Sequence, residues 1–255
     1  MTHSTKQFYD ELTDDYHLIF HDWRKSMKKQ ANTLDALIKR YQKIPSKNLF
    51  DCSCGIGTQT IWLAELWYQV IASDLSEREI ERAKNESMNI WVNIDFFVSD
   101  FREIDKNIAW TFDVIISCDN SIPHLLELDD VKITAKNLLE KLNRNGLLII
   151  TIRDYDQILM ERPISALPNV ITHWNIRSIS FQVWDWEENN VYTTNHFTVK
   201  WIENTFETVV RNTKYRAYKR EELTEIFGKI GFIWIEWIMP NESGYYQPIM
   251  IAYKW

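Results

Sequence analysis

The chain has 255 residues, 45% of them hydrophobic and 25% charged, with a formal net charge of −7. That length holds one large α/β domain, or one domain with an inserted subdomain, in an ordinary soluble composition. The acidic balance argues against a nucleic-acid partner, which needs a basic face. No apolar run approaches the roughly 20 residues that span a bilayer. The polar, acidic start MTHSTKQFYDELTDDYH lacks the pattern of a signal peptide. Three cysteines, Cys52, Cys54 and Cys118, are too few for a disulfide framework and fit a reducing compartment, so a cytoplasmic location is expected. Twelve Trp and eleven Tyr against six Gly are more aromatics than a core of this size requires; some line a cavity or else pack.

Along the chain, the spacing of Met27, Ala31, Leu34, Leu37, Ile38 and Tyr41 predicts a helix over 24–44, ended by Pro45. A short apolar run at 48–52 reads as a buried strand. A helix at about 58–67 follows, then a strand at 69–73 ending in Asp74, the charged helix SEREIERAKNESM, and a strand at 94–98 running to Asp100. Phe112–Ser117 is the next strand, followed by a helix near 129–142, a turn at Asn145-Gly146 and a strand at 147–152. This alternation predicts a doubly wound, mostly parallel, seven-stranded Rossmann-like sheet with helices on both faces. Between about 176 and 217 the pattern becomes β-rich, with a turn at Glu188-Asn189-Asn190, which predicts an inserted antiparallel unit of two or three strands. A helix at about 219–229 and two strands, Phe232–Met239 and Gln247–Tyr253, complete the chain. The expected organisation is one domain over 1–255, with an N-terminal helical segment at 1–47 covering the cofactor and a β-rich substrate lid at 160–217.

The first strand runs into Cys54-Gly55-Ile56-Gly57-Thr58 and a helix, the turn that lies at the ligand-binding switch point of a doubly wound sheet. Glycines at 55 and 57 let backbone approach a ligand closely. A lone G-x-G occurs in many turns, but three further features sharpen it. Position 60 is Thr, so the dinucleotide pattern G-x-G-x-x-G is absent. Asp51 precedes the glycines, where an acid suits a positively charged ligand and opposes a pyrophosphate. Asp74 lies 23 residues beyond Asp51 at the next strand end, the position of a carboxylate that accepts ribose hydroxyls, and Asp100 ends the third strand, where it can accept an adenine amino hydrogen.

With D-C-S-C-G-I-G-T, S-D-L-S and S-D-F-R in place, the chain resembles the class I S-adenosylmethionine-dependent methyltransferases. More narrowly, it looks like the glycine and sarcosine N-methyltransferases of the glycine betaine pathway, over FYDELTDDYHLIFHDW, ISCDNSIPHLL, TIRDYD, FQVWDW and ESGYYQP. The segment Asn143-Arg144-Asn145-Gly146 departs from the Pro-Gly-Gly type of turn more frequent in that group. The resemblance implies S-adenosylmethionine as cofactor, S-adenosylhomocysteine as product and a small amino acid as acceptor; Cys52, Cys54 and Cys118 lack a nearby His to complete the four ligands of a zinc site, so no metal is expected. Leu75, Phe101, Cys54 and Cys118 join the glycines and strand-end acids as implied cofactor contacts. It also implies that Arg153 holds the acceptor carboxylate, as an Arg does in the matching segment of the glycine methyltransferases.

A guanidinium at the end of the fifth strand can bind a carboxylate through two parallel hydrogen bonds. Alternatively, Arg153 is a surface residue paired with Asp154 or Asp156. Asn120 has an oxygen that can orient an amine lone pair, and His124 can take a proton or else bond to backbone. Trp184, Trp186 and Tyr192 belong to the insertion, and Tyr9, Tyr16 and Trp23 to the N-terminal segment; each forms part of a cation-attracting aromatic wall or of the core. Tyr155 and Tyr246 are further acceptor-side candidates, with Tyr192 placed beside Asn120, His124 and Arg153 in the reaction. Other small amine acceptors such as dimethylglycine, a dehydrogenase, and a non-catalytic adenosine-ligand sensor are the competing readings. A monomer or small homo-oligomer is expected.

Overall fold

A computed structural model describes residues 4–173, 176–202 and 204–255. Residues 1–3 of the predicted N-terminal segment, and 174, 175 and 203 of the predicted insertion, lie outside these.

Two helices open the described chain, α1 (Thr5–Leu12) and α2 (Trp23–Tyr41), with a 3₁₀ turn at Tyr16–Ile19 between them. The Ser4 side chain caps α1 by accepting from Gln7, and Asp22 caps α2 by accepting from Lys25, which fixes both starts. Helix α2 stops short of Pro45, because Gln42 is already extended and its side chain accepts from the Ser46 amide. The next strands and helices are β1 (Asn48–Asp51), α3 (Thr60–Glu65), β2 (Gln69–Asp74), α4 (Glu77–Asn89) and β3 (Asp95–Val98). They are followed by α5 (Ile104–Asn107), β4 (Phe112–Ser117), α6 (Leu128–Lys141), β5 (Leu142–Thr151) and α7 (Tyr155–Glu161). After an insertion come α8 (Arg220–Ile230), β10 (Phe232–Ile238), α9 (Pro240–Ser243) and β11 (Ile249–Lys254).

Seven strands form one sheet in the order β10-β11-β5-β4-β1-β2-β3, with β11 antiparallel to both neighbours and the rest parallel. Successive residues of its central strands feed opposite faces. Phe50, Ile115, Leu148 and Ile150 pack into one core, Leu49, Val114, Ile116, Leu147 and Ile149 into the other. Both faces are therefore buried, which is why these strands read as continuous apolar runs. Each such aliphatic side chain contributes about 1.5–3 kcal/mol. Chain order reverses between β1 and β4, so their carboxyl ends open a crevice.

Strand β5 begins five residues before the expected 147. The departure at Asn143–Gly146 sits within it as an irregularity in the pairing with β4 between Phe112 and Val114, with Asn145 at φ +62°. Gly146 is needed there, since a Cβ would come within 2.8 Å of the Asn143 carbonyl. Helix α3 is shorter than expected because the glycine turn continues through Gln59, and α5 and α7 were not anticipated.

The insertion is a four-stranded antiparallel sheet rather than two or three strands: β6 (Asn169–His173), β7 (Ile176–Trp186), β8 (Val191–Ile202) and β9 (Thr205–Arg216), in chain order. Its buried face is largely polar, carrying Ser178, Ser180, Thr194, His196, Thr198, Arg211 and Thr213. Asp15 of the N-terminal segment pairs with Lys200 and, at 3.0 Å, with Arg211, while the Asn169 amide donates to the Ile19 carbonyl at 2.9 Å. These bonds dock the N-terminal segment on the insertion. The aromatic excess has a third destination besides core and cavity, since Trp67 and Trp91 are 86% and 94% exposed.

Candidate active site

Two cavities meet above the β1–β4 crevice. The first, about 540 Å³, is bounded by the glycine turn, the ends of β2 and β3, and α1. The second, about 570 Å³, lies between the N-terminal segment, the insertion and the loop before β11. Tyr9, Tyr16 and Asp119 line both, and so mark where a group passing from one to the other must travel.

In the first cavity Gly55 adopts φ +52° and donates its amide to Asp74 Oδ2 at 2.9 Å, while Asp74 Oδ1 accepts from the Ser76 amide at 3.0 Å. A carboxylate fixed in this way keeps a further lone pair on each oxygen for a pair of hydroxyls. Burial raises the Asp74 pKa, and its backbone hydrogen bonds oppose that shift. Cys54, Leu75, Phe101 and Cys118 also line the cavity. Asp100 does too, but Arg102 grips its carboxylate, with Nη2 at 2.6 Å from Oδ2. Glu79 is buried against the glycine turn, its Oε1 has no partner among the described residues, and burial raises its pKa strongly.

Three expected cofactor contacts are not on this wall. Asp51 is fully buried; its Oδ2 accepts from the Thr60 hydroxyl at 2.6 Å and its Oδ1 from the Ser53 amide at 3.2 Å. It braces the turn from behind instead of facing a cation, and burial lifts its pKa to about 7. The Thr60 that breaks the dinucleotide pattern is thus the partner of Asp51. Gly57, at φ +88°, is absent from the lining; a Cβ there would meet Ile61 Cδ1 at 2.6 Å, so it serves the packing of turn on helix. Trp23 packs with Met27, Ile56 and Ile61 and donates from Nε1 to the Thr58 hydroxyl at 3.1 Å.

The second cavity contains Asn120 and Arg153. Asn120 Oδ1 accepts from the Arg153 amide at 3.1 Å, which leaves Nδ2 buried with no partner among the described residues. Backbone thus engages one lone pair of the oxygen expected to orient an amine, and one further lone pair is left. Arg153 donates to Tyr192 Oη at 2.9 Å and Gln182 Oε1 at 3.2 Å, and lies over the rings of Trp184 and Tyr215 at 5.1 and 5.3 Å. Among the described residues no carboxylate pairs with it. Asp154 and Asp156 are held by Arg220 at 2.5 and 3.3 Å, which removes the surface-pair alternative.

Tyr155, Tyr192 and Trp184 are buried outside the cavity linings. Tyr192 Oη lies 3.0 Å from Tyr155 Oη, so these residues position the guanidinium and touch no ligand space. Trp186 donates to the Pro163 carbonyl. His124 lines the first cavity, with Nε2 2.8 Å from Tyr9 Oη and Nδ1 3.2 Å from the Lys214 carbonyl. That arrangement makes Nδ1–H the donor and Nε2 the acceptor. Burial lowers its pKa to about 3, so it is a neutral bridge rather than a proton carrier near neutrality. Tyr246 lines the second cavity and donates to Asp119.

Sequence reasoning missed Asp119, Gln182, His196 and Tyr215 as lining residues. Only Asp119 had a local signal, since Asp-Asn is a dipeptide that tolerates left-handed backbone; Asp119 and Asn120 adopt φ +58° and +70°. The others depend on how the insertion docks.

Residues 49–146 match the family model described as a methyltransferase domain. This region is therefore similar to a methyltransferase domain, the doubly wound sheet with its glycine turn is the fold of the S-adenosylmethionine-dependent methyltransferases, and S-adenosylmethionine is the cofactor these likenesses support. Among curated proteins, the glycine/sarcosine N-methyltransferase of Parasynechococcus marenigrum is 25% identical over 157 residues, 62% of this chain and 54% of that protein. The putative methyltransferase YqeM of Bacillus subtilis is 24% identical over 226 residues, 83% of this chain and 85% of that protein. The chain spans about half the length of the glycine/sarcosine methyltransferases it matches. Among solved structures, the S-adenosylmethionine-bound amino pentose methyltransferase CalS10 of Micromonospora echinaspora superposes with a TM-score of 0.73 at 13% identity, over 90% of this chain and 92% of that one.

The residues present fit that cofactor. Asp74 has free lone pairs for two ribose hydroxyls, Leu75 and Phe101 supply apolar surface for a base, and the unpartnered Glu79 oxygen suits a cationic ligand better than a phosphate.

Proposed function

We propose that the chain is an N-methyltransferase for a small amino acid, glycine or sarcosine, making N-methylated glycines on the way to glycine betaine. The observation that carries this reading is the Arg153 guanidinium, unpaired with any carboxylate among the described residues, beside the unpartnered Asn120 Nδ2 in the second cavity. Two convergent donor groups, one of them cationic, favour a carboxylate. When bound, S-adenosylmethionine supplies an electrophilic methyl group. The protein's part is to hold the acceptor nitrogen in line, an alignment effect that reaches about 7–11 kcal/mol in model systems. Tyr9, Tyr16 and Tyr215 give aromatic walls that favour methylated cations by about 0.5–2 kcal/mol. The insertion contributes Gln182, His196 and Tyr215 to the cavity, and we assign it the role of substrate lid. Docked against it, the N-terminal segment covers the cofactor.

The names of the matched curated relatives support the amino-acid reading. A second reading, an amino-sugar acceptor, is favoured by the likeness to CalS10 and by a second cavity of about 570 Å³, roomy for glycine. The test is transfer of a labelled methyl group to glycine, sarcosine, dimethylglycine and a carboxylate-free amino sugar, with acetate as competitor. Turnover of glycine or sarcosine inhibited by acetate is expected. Turnover of the amino sugar alone, unaffected by acetate, overturns the amino-acid reading.

A further inference from the structure

Arg153 and Asn120 in the second cavity answer only the acceptor's negative end. A zwitterion also brings an ammonium, which must lose a proton before its nitrogen can attack. Among the three residues that line both cavities, Asp119 is the one carboxylate; the others are Tyr9 and Tyr16. It directly precedes Asn120, which lines the second cavity and whose amide nitrogen has no partner among the described residues. Both residues hold left-handed backbone without being glycine. That conformation costs of order 1–3 kcal/mol per residue and persists where the surroundings enforce it, as they do at functional sites.

The carboxylate is held from two directions. Oδ1 accepts from Tyr245 at 2.9 Å and from Tyr246, and Oδ2 accepts from Gln59 Nε2 at 2.7 Å. Gln59 is itself fixed by Gln30 Oε1 at 2.7 Å. Of the four lone pairs of an ionised carboxyl, three are engaged and one, on Oδ2, is open. No cation pairs with Asp119 among the described residues. The titratable groups around it are Tyr16 from the N-terminal segment, Asp51 and Cys118 from the strand ends, and Tyr245 and Tyr246 from the loop before β11. None carries positive charge, so an arriving ammonium is the cation this acid lacks.

We propose that Asp119 is a catalytic residue, the group that binds the acceptor ammonium and removes its proton. The proton moves from nitrogen to Oδ2 of Asp119. The freed lone pair forms the new nitrogen–carbon bond to the methyl group as the carbon–sulfur pair leaves with sulfur, and the proton passes to solvent as product departs. Burial raises the carboxyl's pKa, with the Tyr246, Gln59 and Tyr245 hydrogen bonds opposing, which moves it towards the range useful to a base. This proposal rests on the amino-acid reading above.

The test is Asp119→Asn in the full chain, a change that suits left-handed backbone. Turnover of glycine and sarcosine is followed from pH 6 to 10, and S-adenosylmethionine and S-adenosylhomocysteine affinities are measured by calorimetry. A positioned base contributes about 10²–10⁴-fold, so kcat should fall at least 100-fold at pH 7. The loss should shrink as pH rises, because the variant must wait for free amine from solution, and both cofactor affinities should stay within threefold. Asp119→Glu, which keeps the acid, should recover part of kcat at pH 7. A loss equal at every pH, or a drop in both cofactor affinities large enough to account for it, overturns the proposal and leaves Asp119 a structural or cofactor-holding residue. Failure of the wild-type chain to methylate either amino acid sinks the underlying reading first, whereas an active wild type with an unimpaired Asp119→Asn variant sinks this proposal alone.

Discussion

The two cavities differ in what their polar groups are doing. On the cofactor side most hydrogen bonds are already made within the protein: Asp74 is held by Gly55 and Ser76, Asp100 by Arg102, and Asp51 by Thr60 and Ser53. On the acceptor side the guanidinium of Arg153 and the amide of Asn120 keep unused donors. A site whose groups are fixed before ligand arrives keeps its shape when one contact is removed and loses that contact alone. A site that leaves charge uncompensated depends on its ligand to satisfy it, and the variants should separate the two.

The largest effect is expected at Arg153. Arg153→Ala removes the guanidinium proposed to hold the acceptor carboxylate, a loss of about 2–5 kcal/mol in kcat/KM for glycine. Arg153→Lys keeps the charge but loses the planar fork, and should raise acceptor KM at least tenfold, about 1.4 kcal/mol. Cofactor affinity should stay within threefold in both. If calorimetry shows equal damage to cofactor binding, the division into two sites is wrong.

Asp74→Ala comes next, weakening S-adenosylmethionine binding by about 1.5–3 kcal/mol through loss of hydrogen bonds to a charged acceptor. Asp100→Ala should cost less, because that carboxylate is already held by Arg102 and faces one edge of the ligand. An Asp100 variant worse than the Asp74 variant would reverse the assignment of ribose and base ends.

How far each side was legible follows from the range of the interactions involved. The cofactor side is local: glycine turn and strand-end acids sit at fixed distances along the chain, so Gly55, Asp74, Leu75 and Asp100 were placed from spacing and resemblance and all line the first cavity. Even there, spacing could not tell a residue facing the ligand from one bracing it behind, and Asp51 and Gly57 turned out to brace. The parallel sheet was equally legible, because buried strands are continuous apolar runs. The insertion was not. Its buried face is polar, so the alternation that marks a half-buried strand is blurred, and four strands read as two or three. The acceptor cavity forms by docking that sheet onto the N-terminal segment through pairs such as Asp15 with Arg211, 196 residues apart. No local pattern reports such a contact, which is why Gln182, His196 and Tyr215 were missed while Arg153, at a strand end, was found.

A smaller effect tests whether Trp23 belongs to the core or to the ligand. Trp23→Phe removes the hydrogen bond to Thr58 and some packing against Met27, Ile56 and Ile61. It should lower unfolding free energy by about 1–2 kcal/mol in denaturant melts and leave cofactor affinity unchanged. Weakened S-adenosylmethionine binding at unchanged stability would return Trp23 to the cofactor wall.

The smallest expected signal is an absence of titration at His124, the residue that joins the two sides by bridging Tyr9 to the Lys214 carbonyl of the insertion. A neutral ring satisfies both ends: Nδ1–H donates to the carbonyl, and Nε2 accepts from the tyrosine hydroxyl. Protonation would place two N–H groups in the bridge and break the Tyr9 bond, in a setting where burial already opposes charge. The folded-state pKa is accordingly about 3, against the usual value near 6.5. Because the folded value lies below the unfolded one, the unfolded chain takes up the proton first as pH falls. His124 therefore contributes stability that is complete above about pH 6.5 and is lost progressively between there and about pH 3. In proton NMR of the folded protein its ring resonances should not move between pH 5 and 8, while those of the other histidines serve as internal comparison. His124→Gln should weaken the acid-side loss of stability and leave no missing limb near pH 6.5 in the rate profile. A ring that titrates near 6.5 in the folded state, together with a matching limb in kcat, would instead make His124 the proton acceptor and displace the bridging role assigned to it.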